Sequence, residues 1–298
     1  MHIVSVYNDK GGVGKTALTL MIGTALAVSG KRVLLVDNDP QYSLSSRTTL
    51  DKDHIEEGLD FYYSDKKKFI DILTPTYIEN LFLAPAGFRL SDFYMRTDKK
   101  VVQKVDDLFD ILRTDKSLTE LFDYVLIDNP PSQNGVTMRC NLLSDVIVIP
   151  AIPDETCYEA LVRSYMLIQE QAADFENKFI VIVPSIVNAT RKQHNEVMRK
   201  IDEFYSGRNN NTIVANMIKN RAEIPDSIGY KHNLFVSHAS SDVTQQLIEL
   251  CLQVFPWIDK DEFRKSIKGY AETLRQERLD RFKEMIKIKV TKSKKELV

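Results

Sequence analysis

The chain has little cysteine: Cys140, Cys157 and Cys251 are odd in number, and no two of them form a C-x-x-C pair. This excludes a disulfide framework and offers no zinc signature, so reduced, partly buried thiols are expected. The chain has no run of about eighteen apolar residues, and therefore no candidate membrane-spanning helix. It has no cationic and apolar leader, since Met1 runs directly into a β-type stretch, and a cytosolic protein is the expectation. It has almost no net charge, −2 overall, so any contact with nucleic acid must come from a local patch. Internal repeats and low-complexity segments are also lacking.

What is present is an ordinary globular composition, 43% hydrophobic and 28% charged over 298 residues, enough for a large core without staples. The length suits one α/β domain with an appendage. Lys10-Gly11-Gly12-Val13-Gly14-Lys15-Thr16 follows the apolar run Ile3, Val4, Val6 and precedes Leu18, Met21, Ile22, Ala25 and Leu26 at helical spacing. A strand, a glycine-rich turn and a helix in that order make a phosphate-binding loop. Backbone N–H groups surround phosphate oxygens, Lys15 approaches the β- and γ-phosphates, and the Thr16 hydroxyl ligates Mg²⁺.

A second buried-type strand, residues 31–36, ends in Asp37-Asn38-Asp39-Pro40-Gln41. Strand alternation puts Asp37 and Asp39 on one side and Asn38 on the other, at a carboxyl end where open α/β sheets bind ligands. The alternative at this point is a solvated loop in which acids merely end the strand. Residues 123–127 form another apolar strand that delivers Asp128 before Asn129-Pro130-Pro131, the pattern of a Walker B acid beside Mg²⁺.

Between these strands, residues 45–68 read as a polar surface excursion with short helical pieces, 69–73 as a helical turn, 81–84 as a short strand and 99–112 as a core-facing helix. Strands are expected at 146–151, 179–187 and 213–217, with a last short one at 234–236, and helices at 155–172, 191–205 and 243–255. Strands alternating with helices predict a doubly wound, mostly parallel α/β sheet flanked by helices. Residues 1–257 would form the phosphate-loop domain, with 51–122 as a variable, insertion-like region inside it. Residues 258–298 would form a basic helical extension. From Asp259 onward the tail carries thirteen positive and eight negative side chains, with apolar Leu279, Phe282, Ile286 and Val290 at helical spacing. Packing, DNA phosphates and an anionic membrane surface compete for it.

These three blocks together resemble the ParA/MinD-type deviant Walker ATPases, whose loop reads K-G-G-V-G-K-T and whose extra lysine is Lys10 here. The resemblance implies that Lys10 reaches across a homodimer to the partner's nucleotide in an ATP sandwich. It also implies that Asp39 polarises the attacking water, and that Thr16, Asp37 and Asp128 hold Mg²⁺. Ala17 stands where a second threonine is common. Segment 150–155 resembles the family's strand end near the nucleotide, and Asn188 with loop 218–225, including Ile224 and Pro225, its adenine-proximal elements. Pro40-Gln41 and Pro130-Pro131-Ser132 are similar to the partition (ParA) branch. That branch implies nonspecific DNA binding in the ATP state, a ParB-like centromere-binding partner that stimulates hydrolysis, and a cytoplasmic, nucleoid-associated location. Candidate DNA contacts are Arg191, Lys192, Lys219, Arg221 and the tail cations. No helix-turn-helix domain precedes the first strand, which weighs against operator reading. The alternative is a MinD-like positioning ATPase anchored to membrane by the Leu279, Phe282, Ile286 face. An iron-protein-like role is disfavoured, because Cys140 and Cys157 lack a cluster pattern.

Overall fold

The computed structural model describes residues 1–49, 55–94, 99–172, 174–188, 190–205 and 211–295; the side chains of 99, 278, 279 and 281–295 lie outside that description. β1 (His2–Val6) leads into α1 (Lys15–Val28) and β2 (Val33–Asp37). Then follow α2 (Ser43–Thr48), α3 (Leu59–Tyr63), a 3-10 turn (Phe69–Ile72), β3 (Thr74–Pro75) and β4 (Leu81–Ala84). α4 (Leu90–Tyr94), α5 (Lys99–Thr114) and α6 (Lys116–Thr119) precede β5 (Tyr124–Asp128). The second half runs α7 (Gly135–Leu143), β6 (Val146–Ala151), α8 (Glu155–Gln171), β7 (Phe179–Pro184), α9 (Lys192–Tyr205) and β8 (Thr212–Val214). It closes with α10 (Glu223–Gly229), α11 (Leu234–Ser237), α12 (Asp242–Val254) and α13 (Lys260–Lys295).

Among the described residues the strands form one sheet in the order β3-β4-β2-β5-β1-β6-β7-β8, parallel except where β3 meets β4. This is the expected doubly wound architecture. Strand alternation sorts the core. Val4, Val6, Val146 and Val148 pack with α1 and α12 on one face. Ile3 and Val125 join α5 and α7 on the other, and Ile147 and Ile149 join α8 and α9. Because both faces are covered, the strands read as continuous apolar runs. α1 is buried from Leu18 to Val28, so its sequence is apolar on every side rather than striped.

Three expectations are corrected. Residues 234–236 are helical, in α11, not a strand. Asn233 caps the turn by accepting from the Phe235 amide, and β8 already occupies that end of the sheet. β8 stops at Val214 instead of 217, because the Asn216 and Lys219 amides are taken by the side chains of Gln253 and Gln246. Segment 55–68, the described part of the stretch read as a surface excursion together with 45–49, is less exposed than its polarity suggested, since Leu59, Tyr62 and Tyr63 are buried with Phe69, and residues 50–54 lie outside the described residues.

The tail is one long helix as expected, and its first turns are docked. Phe263, Ile267 and Ala271 are each under 5% exposed at four-residue spacing, and Arg275 donates to the Val236 carbonyl at 3.2 Å. Leu279, Phe282, Ile286 and Val290, and the tail cations from Arg278 on, have side chains outside the described residues. No described helix is long and apolar enough to cross a membrane.

Candidate nucleotide and metal site

The loop between β1 and α1 turns on Gly12 (φ 76°) and Gly14 (φ 93°), both in the left-handed region that a Cβ disfavours. α1 starts with no side-chain cap and no acid in its first turn, so its amides are open to an anion. The loop is pinned from three sides. The Asn8 side chain donates to the Pro150 carbonyl at 2.8 Å and accepts from the Lys10 amide at 2.9 Å, while Ser185 Oγ donates to the Val13 carbonyl at 2.7 Å. Lys15 is buried inside the cradle and donates to the carbonyls of Asn8 (3.0 Å) and Lys10 (2.8 Å). Burial lowers its pKa, and Asp128, Asp39 and Asp9 pull in the opposite direction.

Asp37 and Asp128 end adjacent strands and pair in register. Both are essentially inaccessible, and Asp39 is 8% exposed. Burial first, and then repulsion from Asp37, pushes Asp128 up to about 8. Burial likewise raises Asp37 to about 6, even though the Ser45 hydroxyl (2.6 Å) and amide (2.7 Å) both donate to it. Asp128 Oδ1 receives a long bond from Thr19 Oγ1 (3.4 Å), the Thr16 hydroxyl bonds the carboxyl and partly offsets its raised pKa, and Oδ2 has no geometric hydrogen-bond partner among the described residues.

Buried carboxylates this close are costly without a cation. They suit a hard divalent ion with oxygen ligands. Thr16, Asp37 and Asp128 would hold it, and Mg²⁺ there would supply charge neutralisation at the phosphates. No group of three acid, histidine or cysteine side chains among the described residues forms a complete cage.

A prediction follows from the unpaired charge. The raised carboxyl pKa means that the native state binds the proton more tightly than the unfolded chain. Stability contributed below about pH 4 is therefore lost as pH rises toward 8. Asp128→Asn removes that loss and should stabilise the nucleotide-free protein at pH 8.5 by on the order of 2 kcal/mol, with a smaller gain at pH 5. Urea unfolding at the two pH values checks it; a gain that does not grow with pH contradicts it.

Lys10 lies elsewhere. Its ammonium is on the rim of the cradle, 3.1 Å from Asp154 Oδ1 and 2.5 Å from Thr156 Oγ1, with 32% of the side chain exposed. Asp154 caps α8 by accepting from the Cys157 amide at 2.8 Å. Burial opposes its charge, but the Cys157 amide, the Thr156 hydroxyl and Lys10 hold it down to about 2. Asp154 lies within segment 150–155, which the resemblance places near the nucleotide, and Ser45 lies outside every candidate set. The cap position before Glu155-Thr156-Cys157 was a signal for the first, and nothing local announced the second.

Beside the cradle, a cavity of about 320 Å³ is lined by Gly14, Ala17, Met21, Ile186, Ile224 and Pro225, with Arg47, Lys219 and Arg221 also on its wall. This brings together Ala17, Ile224 and Pro225 from the expected base-binding set, and Asn188 lines an adjoining recess that shares Lys219, Asn220 and Arg221 with the cavity wall. Asn188 Oδ1 is engaged by the Thr190 amide and hydroxyl. A wider groove of about 1040 Å³ runs between Lys66–Asp71 and α5, but none of the strand-end acids or loop residues lines it.

Of the candidate DNA contacts, Lys219 and Arg221 sit 2.9 and 4.0 Å from Asp242, and Lys192, at the start of α9, is 93% exposed next to Arg191.

Residues 1–182 match the AAA domain family. The chain is 35% identical to the sporulation initiation inhibitor protein Soj of Bacillus subtilis over 148 residues, 50% of this chain and 57% of that protein. It is 29% identical to the chromosome-partitioning ATPase Soj of Treponema pallidum over 219 residues, 71% of this chain and 82% of that one. The chain thus spans little more than half the length of the Bacillus relative. Among solved structures, an ATP complex of Cyanothece McdA superposes with a TM-score of 0.69 over 86% of this chain and 96% of that one, at 18% identity, a likeness of fold alone. With that family match across more than half of the chain, and with the glycine loop, its two lysines and the strand-end acids assembled at the carboxyl ends of the central strands β1, β2 and β5, the chain belongs to the AAA domain family and is a ParA/MinD-type deviant Walker ATPase.

Proposed function

We propose that the protein is a ParA-type partition ATPase that hydrolyses Mg²⁺–ATP, joins as a homodimer around two nucleotides, and binds DNA without sequence preference. The supporting observation is the division of labour between the two lysines: Lys15 is buried in its own cradle, whereas Lys10 stands on the rim, a third exposed and held by Asp154, Thr156 and the Cys157 thiol. A cation so placed can leave its cis partners for phosphates presented by a second copy. Thr16, Asp37 and Asp128 would hold the metal, and Asp39 would orient the attacking water. The base would occupy the cavity beside Ala17, Ile224 and Pro225. A ParB-like partner would stimulate hydrolysis at the centromere complex, and a cytoplasmic, nucleoid-associated location follows from DNA binding. The test is phosphate release from ATP, which should be slow, require Mg²⁺ and fail in EDTA. Protein that binds no ATP under these conditions would overturn the reading.

DNA binding makes its own prediction. Arg191 and Lys192 are exposed, and the surface pairs of Lys219 and Arg221 with Asp242 are weak enough for phosphates to replace. A dimer presents each cation twice. The logarithm of affinity for random duplex should therefore fall with the logarithm of salt concentration with a slope steeper than about −3. A flat dependence, measured by fluorescence anisotropy between low and physiological salt, would remove the phosphate-contact proposal.

A further inference from the structure

Between the two acid-bearing strand ends, on the side away from Asp37 and Asp128, lies a chain of buried polar side chains that the site described above does not use. Asn38 donates through Nδ2 to Asn129 Oδ1 at 2.9 Å. Asn129 Nδ2 donates to Ser5 Oγ at 2.9 Å, and Ser5 Oγ donates to Asn141 Oδ1, on α7, at 2.5 Å. All four residues are 0–1% exposed. The sequence places one asparagine directly after Asp37 and the other directly after Asp128, so the amides meet one step beyond the last register pair of β2 and β5. The backbone is joined there too, Asn38 N donating to the Asp128 carbonyl at 2.9 Å and Asn129 N to the Val6 carbonyl at 3.2 Å. Tyr94 OH closes the assembly by donating to the Asn38 carbonyl at 2.5 Å.

Two amides in a region otherwise filled by Val36, Ile127, Val136 and Cys140 are an expensive choice. Each must find partners or lose its water bonds uncompensated. Asn38 Oδ1 and Asn141 Nδ2 find none among the described residues, so the chain is not a low-energy way of filling the core. Apolar side chains of similar volume would fill it without that loss. What the amides add is direction, because a fully buried hydrogen bond fixes spacing and orientation where apolar contacts leave the strand ends free to slide.

We propose that the Asn38–Asn129 pair is a positioning lock. It fixes the separation of Asp37 and Asp39 from Asp128, and ties that separation through Ser5 and Asn141 to α7, the helix that follows the Pro130-Pro131 loop. The proposal rests on the metal and water roles given to those acids above. The lock acts through the acids and touches no nucleotide.

The deciding variant is the double substitution Asn38→Leu with Asn129→Leu. Each single change leaves a buried amide unpaired and should lower thermal stability together with turnover. The double change removes both ends of the bond, so stability should largely recover. Turnover should nonetheless stay reduced roughly ten- to a hundred-fold, since misplacing catalytic groups by a fraction of an ångström is enough, while affinity for ATP in EDTA stays within about two-fold. Affinity for Mn²⁺ in the presence of ADP, read by electron paramagnetic resonance, should weaken in parallel with turnover. A thermally stable double variant with wild-type turnover and wild-type Mn²⁺ affinity overturns the lock and leaves the ATPase reading standing. An unaltered protein that turns over no ATP overturns the ATPase reading instead, and the Mn²⁺ titration then decides the lock.

Discussion

Asp39→Ala is expected to leave ATP bound and the two copies joined, while turnover falls by roughly two to four orders of magnitude, the range contributed by a positioned acid or base. The reasoning starts from what Asp39 touches. Among the described residues its carboxylate accepts only from the Gln41 amide, at 2.9 Å, a bond that shapes its own turn. It is neither part of the glycine cradle nor one of the two register-paired acids that would hold the metal. Removing it also relieves repulsion, because its charge helps to raise the pKa of both Asp37 and Asp128. Nothing in the glycine cradle is lost, and the group proposed to orient water is gone. Light scattering with saturating Mg²⁺–ATP should find a persistent dimer, and phosphate release should be close to background. A monomeric variant, or one hydrolysing at the wild-type rate, would contradict this assignment.

Lys10→Ala should do the opposite. Lys15 and the loop amides remain, so nucleotide affinity in the isolated chain should change little. Association should suffer, because truncating one charged partner of a desolvated interfacial pair typically costs about 2–5 kcal/mol, which is roughly thirty-fold or more in dimer affinity. Folding should survive, since Asp154 keeps its cap bonds to the Cys157 amide and the Thr156 hydroxyl. Sedimentation across a concentration series, with ATP affinity measured in parallel, separates the two effects. Unchanged dimerisation would take the cross-subunit role away from Lys10, and loss of nucleotide binding would move that residue into the cradle.

What could be read from the sequence divides along a physical line. The glycine loop, Asp37 and Asp128 at strand ends, and most strands and helices were legible because each is written within a dozen residues of chain. Contacts made by distant segments were not. Ser45 reaches Asp37 across eight residues that include the left-handed Tyr42. Lys10 meets Asp154 across 144 residues, and Asn38 meets Asn129 across 91. Nothing local in either partner names the other. Residues 234–236 have strand-like composition, but their surroundings cap them as a helix. In the tail the dense charge drew attention to Leu279 and beyond, while Phe263, Ile267 and Ala271, which anchor the helix on the domain, lay in a stretch that reads as polar. A truncation meant to remove the basic end should therefore begin after Gln276, leaving those anchors in place.

The central claim is that ATP, through Lys10, joins two copies of this chain. Its most direct test is the mass of the unaltered protein by multi-angle light scattering, in saturating Mg²⁺–ATP and in saturating Mg²⁺–ADP. The account predicts twice the chain mass with ATP and a single chain mass with ADP, at the same protein concentration. The same mass in both nucleotides, whether one chain or two, would contradict it.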